Sequence, residues 1–163
     1  MPMAVRSLHT RQCSNVVTKL ASFQACRVLS LNNGRWNGDL KHLGQLLHLR
    51  YLELIGVLGD DPELPKEIGN LKSLQILIIH TSFLMKLPPA VCELTQLMCL
   101  DVYDCSLVRA NRLGSQLVCL EQLTNLEIDK QVCDDFVVEL GKLTRLRVLE
   151  IYLDLMNEAS ERR

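Results

Sequence analysis

The chain has 163 residues, which is the size of one ordinary domain and is long enough to bury a sizeable core. Hydrophobic residues make up 48% of it but aromatic residues only 4%, so leucine must fill most of the interior. No apolar run reaches the roughly 18 residues that a membrane helix needs, so we expect no contact with a membrane. The seven cysteines include no C-x-x-C pair, which favours reduced thiols in a cytoplasmic protein over a zinc site.

The formal net charge of −1 conceals an asymmetric distribution along the chain. Residues 1–50 carry seven Lys/Arg and one acid, Asp39, for a balance of +6. Residues 51–163 carry eleven Lys/Arg and eighteen Asp/Glu, for a balance of −7. Such an imbalance affects how a protein meets its partners more than how it folds.

One spacing of apolar residues, L-x-x-L-x-L, recurs along the whole chain. It begins as a weak copy at Val5, Leu8 and Thr10. The later copies are Cys26-Leu29-Leu31, Leu49-Leu52-Leu54, Leu74-Leu77-Ile79, Leu97-Leu100-Val102, Leu123-Leu126-Ile128 and Leu146-Leu149-Ile151. Their starts lie 21 to 26 residues apart, which is the period of a leucine-rich repeat.

We therefore predict an α/β repeat fold, a leucine-rich-repeat solenoid, as a single domain over residues 1–163. Its repeats are expected to start near residues 5, 26, 49, 74, 97, 123 and 146. Each L-x-L end predicts a short strand, so about seven parallel strands form a curved sheet. Before each strand, apolar residues at steps of three and four predict a convex limb of short helix, 3-10 helix or loop. Pro65, Pro88 and Pro89 stand where such limbs begin, a position at which a missing N–H is tolerated.

The repeats resemble the leucine-rich-repeat region of plant nucleotide-binding leucine-rich-repeat immune receptors, and most closely the cereal coiled-coil class. The resemblance is carried by Leu64–Gln75 (Leu-Pro-Lys-Glu-Ile-Gly-Asn-Leu-Lys-Ser-Leu-Gln) and by the equivalent run from Leu87 to Leu97. It implies a cytoplasmic disease-resistance protein that acts in plant defense and innate immunity through protein–protein interaction. The implied partner is a pathogen effector, a host protein or the nucleotide-binding module of the same receptor.

The sequence also departs from that family. It contains no G-x-x-x-x-G-K-[ST] phosphate loop, so we expect no nucleotide or other cofactor. We expect the chain to be a fragment of a larger receptor, and the alternative is a short product that binds without a nucleotide-driven switch. The residue that follows the strand core, which is asparagine in regular repeats, is replaced in every copy, which predicts irregular turns. Because no polar cap precedes Val5, the N-terminal edge of the sheet is expected to self-associate.

The candidate partner-binding site is the concave face, built from the variable positions beside the strand leucines. Arg6, Arg27 and Arg50 occupy one equivalent slot in the first repeats. Glu53, Asp101, Glu127 and Glu150 are expected to share another slot and form one row. The remaining candidates are the tyrosines and neighbouring acids Tyr51, Tyr103, Asp104, Asp129 and Tyr152. This layout predicts a docking surface for a protein of opposite charge pattern, and the alternative is an ordinary solvated face.

Nothing in the sequence indicates catalysis. No nucleophile elbow, H-E-x-x-H motif or Cys–His pair is present, so we predict a non-enzymatic protein with no catalytic or metal-binding residues. Nucleic-acid binding is not expected, because the concave arginines lack flanking aromatic residues. The alternative function is a free-standing intracellular leucine-rich-repeat scaffold or adaptor without an immune role.

Overall fold

Seven parallel strands form one sheet in which strand order follows chain order. The computed structural model describes residues 5–11, 19–33, 39–56, 64–107, 113–129 and 133–154. The strands are β1 (Ser7–Arg11), β2 (Val28–Asn32), β3 (Tyr51–Gly56), β4 (Ile76–Leu87), β5 (Cys99–Leu107), β6 (Gln122–Asp129) and β7 (Val148–Asp154). The predicted solenoid of parallel strands is confirmed.

Short helical segments cross between successive strands on the convex side. The 3-10 helices in the described ranges are Leu20–Ser22, Asp39–Gln45, Lys66–Asn70 and Pro89–Glu93. The α-helices in these ranges are α1 (Leu113–Gln116) and α2 (Cys133–Leu140). Pro65 immediately precedes the 3-10 helix Lys66–Asn70. Pro88 immediately precedes the 3-10 helix Pro89–Glu93, and Pro89 is the first residue of that helix. The expected place of the prolines is therefore confirmed.

A tight L-x-x-L turn connects each convex limb to its strand. The amide of Leu74 donates to the carbonyl of Leu71 at 2.9 Å, and the amide of Leu97 donates to that of Leu94 at 2.9 Å. The same bond joins Leu120 to Leu117 at 3.0 Å and Leu146 to Leu143 at 3.1 Å. Because both leucines of each turn point inward, the turn satisfies a backbone pair while it buries two apolar side chains.

The core is a column of leucines between the sheet and the convex limbs. Leu52, Leu77, Leu100 and Leu123 lie opposite one another in neighbouring strands and are fully buried. The next residue of this ladder, Leu149 in β7, is 44% exposed because no described strand covers its outer side. Burial of one such side chain contributes about 2 kcal/mol, and stacking of neighbouring repeats is what achieves it.

The convex limbs of neighbouring repeats pack closely at two glycines. A Cβ added at Gly44 would lie 2.5 Å from the carbonyl oxygen of Glu67, and one added at Gly114 would lie 1.8 Å from that of Glu139. The Glu139 carboxylate also accepts bonds from the amides of Gly114 at 3.0 Å and Ser115 at 3.3 Å. Its hydrogen bond with Lys142 is the main cause that lowers the pKa of Glu139, while burial opposes that shift.

The sixth repeat begins three residues earlier than predicted. Leu123 pairs with Leu100, so Leu120, not Leu123, is equivalent to Leu97. The segment contains two overlapping L-x-x-L spacings, Leu120-Leu123 and Leu123-Leu126, and the L-x-x-L turn after the convex limb selects the first. The extra length is taken up within β6, where Asn125 adopts a left-handed φ of 60°.

Shifts of strand register are confined to the C-terminal half of the described sheet. The pairings β1–β2, β2–β3 and β3–β4 keep one register, whereas β4–β5, β5–β6 and β6–β7 each shift. Asp104 in β5 has a φ of 54°, a conformation that Asp and Asn tolerate better than other residues with a side chain. Cys105, where a regular repeat has asparagine, turns its thiol toward the carbonyl of Tyr103 at 3.4 Å.

Candidate partner-binding face

A ladder of backbone hydrogen bonds aligns the residue that leads into each strand. The amide of Arg27 donates to the carbonyl of Arg6 at 2.8 Å, and the amide of Arg50 donates to that of Arg27 at 2.8 Å. The ladder continues at 2.8 Å through every later repeat, and we call its members the leading row: Arg6, Arg27, Arg50, Gln75, Met98, Glu121 and Arg147. The predicted alignment of the three arginines is therefore confirmed.

The three arginine side chains are exposed, and none has an ion-pair partner among the residues that the structure describes. Adjacent parallel strands lie about 4.8 Å apart, so the three arginines extend from backbone positions that follow one another along the sheet at about that spacing. Like charges on neighbouring strands repel, which makes the row slightly destabilising for the isolated sheet. A surface that keeps such a row is suited to an anionic partner.

A shallow apolar depression lies further along the same face. Its volume is about 520 Å³, and its lining comes from β3 to β6 and the leading row: Tyr51, Gln75, Ile76, Ile78, Met98, Cys99, Glu121 and Gln122. The floor is formed by Ile76 and Ile78, whose side chains point away from the leucine core because they alternate with Leu77. Burial and the neighbouring Glu53 raise the pKa of Tyr51, so its hydroxyl stays protonated as a donor.

A polar cluster lies beside the depression where the sheet becomes irregular. The Asp101 carboxylate contacts His80 Nε2 at 3.1 Å and accepts a bond from Asn125 Nδ2 at 2.8 Å. The ring of Tyr103 meets the His80 ring edge-on, with centroids 6.2 Å apart, and its side chain is 51% exposed. These contacts hold Asp101 within the sheet and leave Tyr103 available to solvent.

The predicted row of four acids does not form. Glu53 and Asp101 do share one row, but Thr124 and not Glu127 lies opposite Asp101. Glu127 pairs instead with Ser106 and Tyr152, because the sixth repeat starts three residues earlier than expected. Glu150 follows Leu149 and lies level with the bulge of β6.

The remaining predicted residues are spread over the C-terminal strands. Asp104 lies in the β5 bulge, and its carbonyl accepts the hydroxyl of Thr81 at 3.3 Å. Asp129 pairs with Asp154 at the ends of β6 and β7, and Tyr152 in β7 is 56% exposed. The structure therefore brings Arg6, Arg27, Arg50 and Tyr51 onto one continuous surface but does not collect the acids into one site. Whether any of these residues binds a partner stays a prediction.

Sequence reasoning missed the apolar floor of the depression. The slots of Tyr51 and Glu53 are filled one repeat later by Ile76 and Ile78. The slot of Arg50 is filled two repeats later by Met98. Solvent-facing slots filled by apolar residues were the available signal, because large exposed apolar groups on a soluble surface often mark binding sites.

The environments of Cys26, Cys92, Cys99 and Cys105 lower the reactivity of their thiols. Burial raises the pKa of Cys92 to about 11 and that of Cys105 to about 12. Burial likewise raises the pKa of Cys26 and of Cys99, and at Cys99 the Asp101 carboxylate adds to the effect. Since the thiolate is the nucleophile, none of these positions favours covalent catalysis.

Alkylation of the native protein with iodoacetamide should follow these pKa shifts. At about pH 7.5 we expect Cys26, Cys92 and Cys105 to stay unlabelled, because they are buried and protonated. At about pH 9 the half-buried Cys99 should label faster, while Cys92 and Cys105 stay protected. Peptide mass spectrometry measures each site, with denatured protein as the fully labelled control. Labelling of Cys105 in folded protein at neutral pH would contradict the burial described here.

Among the described residues, no group of three or more His, Cys, Asp or Glu side chains could hold a metal ion. No helix in the described ranges is long and apolar enough to cross a membrane.

The family model of the leucine-rich repeat region matches residues 4–163. The chain belongs to the leucine-rich-repeat family. Leucine-rich repeats stack into solenoids that present extended concave surfaces for binding, and the fold is typically a non-enzymatic scaffold. No curated protein matches the sequence significantly.

Solved structures of leucine-rich-repeat proteins share the fold. An internalin, InlF from Listeria monocytogenes, superposes with a TM-score of 0.67 at 20% identity over 94% of this chain and 44% of its own. A second similar structure is the ectodomain of the Arabidopsis thaliana receptor kinase GASSHO1/SCHENGEN3, solved in complex with CASPARIAN STRIP INTEGRITY FACTOR 2. It superposes with a TM-score of 0.58 at 19% identity, over 82% of this chain and 16% of its own. A TDR receptor superposes with a TM-score of 0.58 at 18% identity, over 82% of this chain and 23% of its own. This leucine-rich-repeat chain thus spans less than half the length of each.

Proposed function

We propose that this leucine-rich-repeat chain is the protein-recognition and autoregulatory module of a cytoplasmic plant immune receptor of the nucleotide-binding class. Its partner is a pathogen effector, a host protein or the nucleotide-binding module of the same receptor. The observation that carries the proposal is the exposed row of Arg6, Arg27 and Arg50, which has no ion-pair partner in the part of the chain that the structure describes.

Two further features support a binding role on this face. The arginines adjoin an apolar depression rather than a catalytic pocket, and both lie on a sheet held by a regular backbone ladder. Buried apolar contact combined with a charged border is the composition of a protein interface. The assignment to plant immunity is supported by the Leu-Pro-Lys-Glu-Ile-Gly segment at Leu64–Gly69, which resembles the receptor repeats.

Immunoprecipitation from leaves tests the proposal. The tagged chain is expressed as wild type, as Arg50→Glu and as Arg147→Glu, and captured proteins are identified by mass spectrometry. Arg147 is the matched control because it is exposed and belongs to the same leading row four strands away. We expect a nucleotide-binding receptor module or a pathogen protein with wild type and Arg147→Glu, and its loss with Arg50→Glu.

Other outcomes have distinct meanings. Capture of proteins without any link to defence, lost in the same Arg50-dependent way, would contradict the immune role and favour an intracellular scaffold. Equal recovery by all three forms would show that the arginines of the leading row take no part in recognition.

A further inference from the structure

Among the described residues, no acid of the sheet forms an ion pair with Arg6, Arg27 or Arg50 of the leading row. The Glu53 carboxylate accepts the hydroxyl of Ser30, and Asp101 is held by His80 at 3.1 Å and Asn125 at 2.8 Å. Glu121, in the row itself, pairs with Arg145 at 3.0 Å. These carboxylates keep their charge but contact other side chains, and none of them forms an ion pair with Arg6, Arg27 or Arg50.

The charged and apolar parts of this face are continuous. After Arg50 the leading row passes to Gln75 and Met98, and both of these line the depression. Met98 is 39% exposed, and an unbranched thioether adapts readily to the shape of a bound side chain. A volume of about 520 Å³ falls within the usual size of a ligand pocket, so the depression has room for apolar side chains of a partner.

We propose that Arg6, Arg27 and Arg50 together with the depression bind one extended protein segment, acidic at one end and apolar at the other. The proposal rests on the proposed function and names the chemistry of its partner. The acidic end lies over β1 to β3 and the apolar end over β4 and β5. Four strand spacings of about 4.8 Å make a path of about 19 Å, which about six extended residues span.

The face fits a protein segment better than a nucleic acid. A single-stranded nucleic acid binds through aromatic stacking along a basic groove, and Tyr51 is the one aromatic side chain in the lining of this depression. The lining of the depression contains no Lys or Arg, so the phosphates of a nucleic acid that continued beyond Arg50 would meet no cation there.

Fluorescence anisotropy with the purified full chain tests the segment chemistry. The probe is a labelled synthetic peptide with three aspartates, a glycine and two leucines in that order. We expect Arg50→Glu to weaken binding by about tenfold or more and added salt to weaken wild type, whereas Arg147→Glu should stay within about twofold. Circular dichroism confirms that each variant is folded.

A second pair of variants isolates the apolar half. Met98→Glu places a charge in the depression, and Val118→Glu is its control because Val118 is a similarly exposed apolar residue that does not line it. We expect about tenfold weaker binding for Met98→Glu and little change for Val118→Glu. A probe whose leucines are replaced by serine should also bind about tenfold more weakly.

Several results would overturn the proposal. These are no binding of the peptide to wild type, equal losses in Arg50→Glu and Arg147→Glu, or no effect of the leucines. Tighter binding of a labelled single-stranded oligonucleotide at the same arginines would identify a nucleic-acid partner instead. If the peptide fails while Arg50-dependent capture of an immune protein in leaves persists, the segment chemistry is wrong and the proposed function stands.

Discussion

Replacement of Gly114 by alanine is expected to destabilise the protein by about 3 kcal/mol or more. The added Cβ would lie 1.8 Å from the carbonyl oxygen of Glu139 and 2.7 Å from its carbonyl carbon, which are backbone atoms of α2. Neither can move without shifting α2 away from α1, and that shift would stretch the bonds from the Glu139 carboxylate to the amides of Gly114 and Ser115.

Gly141→Ala is the matched control for this experiment. A Cβ at Gly141 would meet its nearest atom, the carbonyl oxygen of Val138, at 3.5 Å, which is ordinary van der Waals contact. Urea denaturation followed by circular dichroism measures both variants. We expect a large fall in the midpoint for Gly114→Ala and a small change for Gly141→Ala. Similar midpoints for the two would mean that the convex limbs are not packed as closely as described.

Leu100→Ala is expected to cost about 3 to 4 kcal/mol, whereas Leu149→Ala should cost about 1.5 kcal/mol or less. The two leucines are equivalent, since Leu100 pairs with Leu123 and Leu123 with Leu149. They differ in environment: Leu100 is fully buried, and Leu149 is 44% exposed. Truncation of the first leaves a cavity in the middle of the column, and truncation of the second removes a side chain that water already reaches.

The comparison uses one substitution at two positions, so helix or strand propensity cancels to a first approximation. Free energies of unfolding from urea titration give the difference directly. Equal losses at the two positions would show that something covers Leu149 in solution, and a negligible loss at Leu100 would contradict its burial in the core. Because each repeat is stabilised by its neighbours, the central position is the more sensitive one.

The fold could be predicted because one unit is repeated many times. A single L-x-x-L-x-L match is weak, but copies that recur every 21 to 26 residues leave one way to bury all the leucines, which is to stack the repeats. The prolines at 65, 88 and 89 then located the start of two convex limbs. The same logic placed Arg6, Arg27 and Arg50 in one row, because backbone pairing follows directly from the repeat register.

The repeat pattern failed where it was locally ambiguous. Leu120, Leu123 and Leu126 are equally spaced, so the pattern alone offered two registers for the sixth repeat. The turn that joins Leu120 to Leu117 decides between them, and it depends on where the preceding limb ends in space. The wrong register placed Glu127 beside Asp101, and the expectation of an acidic row failed with it.

The binding face was only half predictable for a different reason. Charged residues are conspicuous in a sequence, and their alignment follows from the register. A depression depends instead on the sizes of side chains from four neighbouring strands, and on a shape that Ile76, Ile78 and Met98 create together. None of these residues is unusual in a strand by itself.

The close contacts at Gly44 and Gly114 have a consequence for recognition. Convex limbs that leave no space for one methyl group cannot easily slide past each other or move apart. The concave face therefore keeps the same curvature with or without a partner. Such a face is preorganised: an incoming chain loses its own conformational entropy on docking but does not have to order the receptor. Loosening the convex side should therefore weaken binding at a concave surface that the substitution never touches.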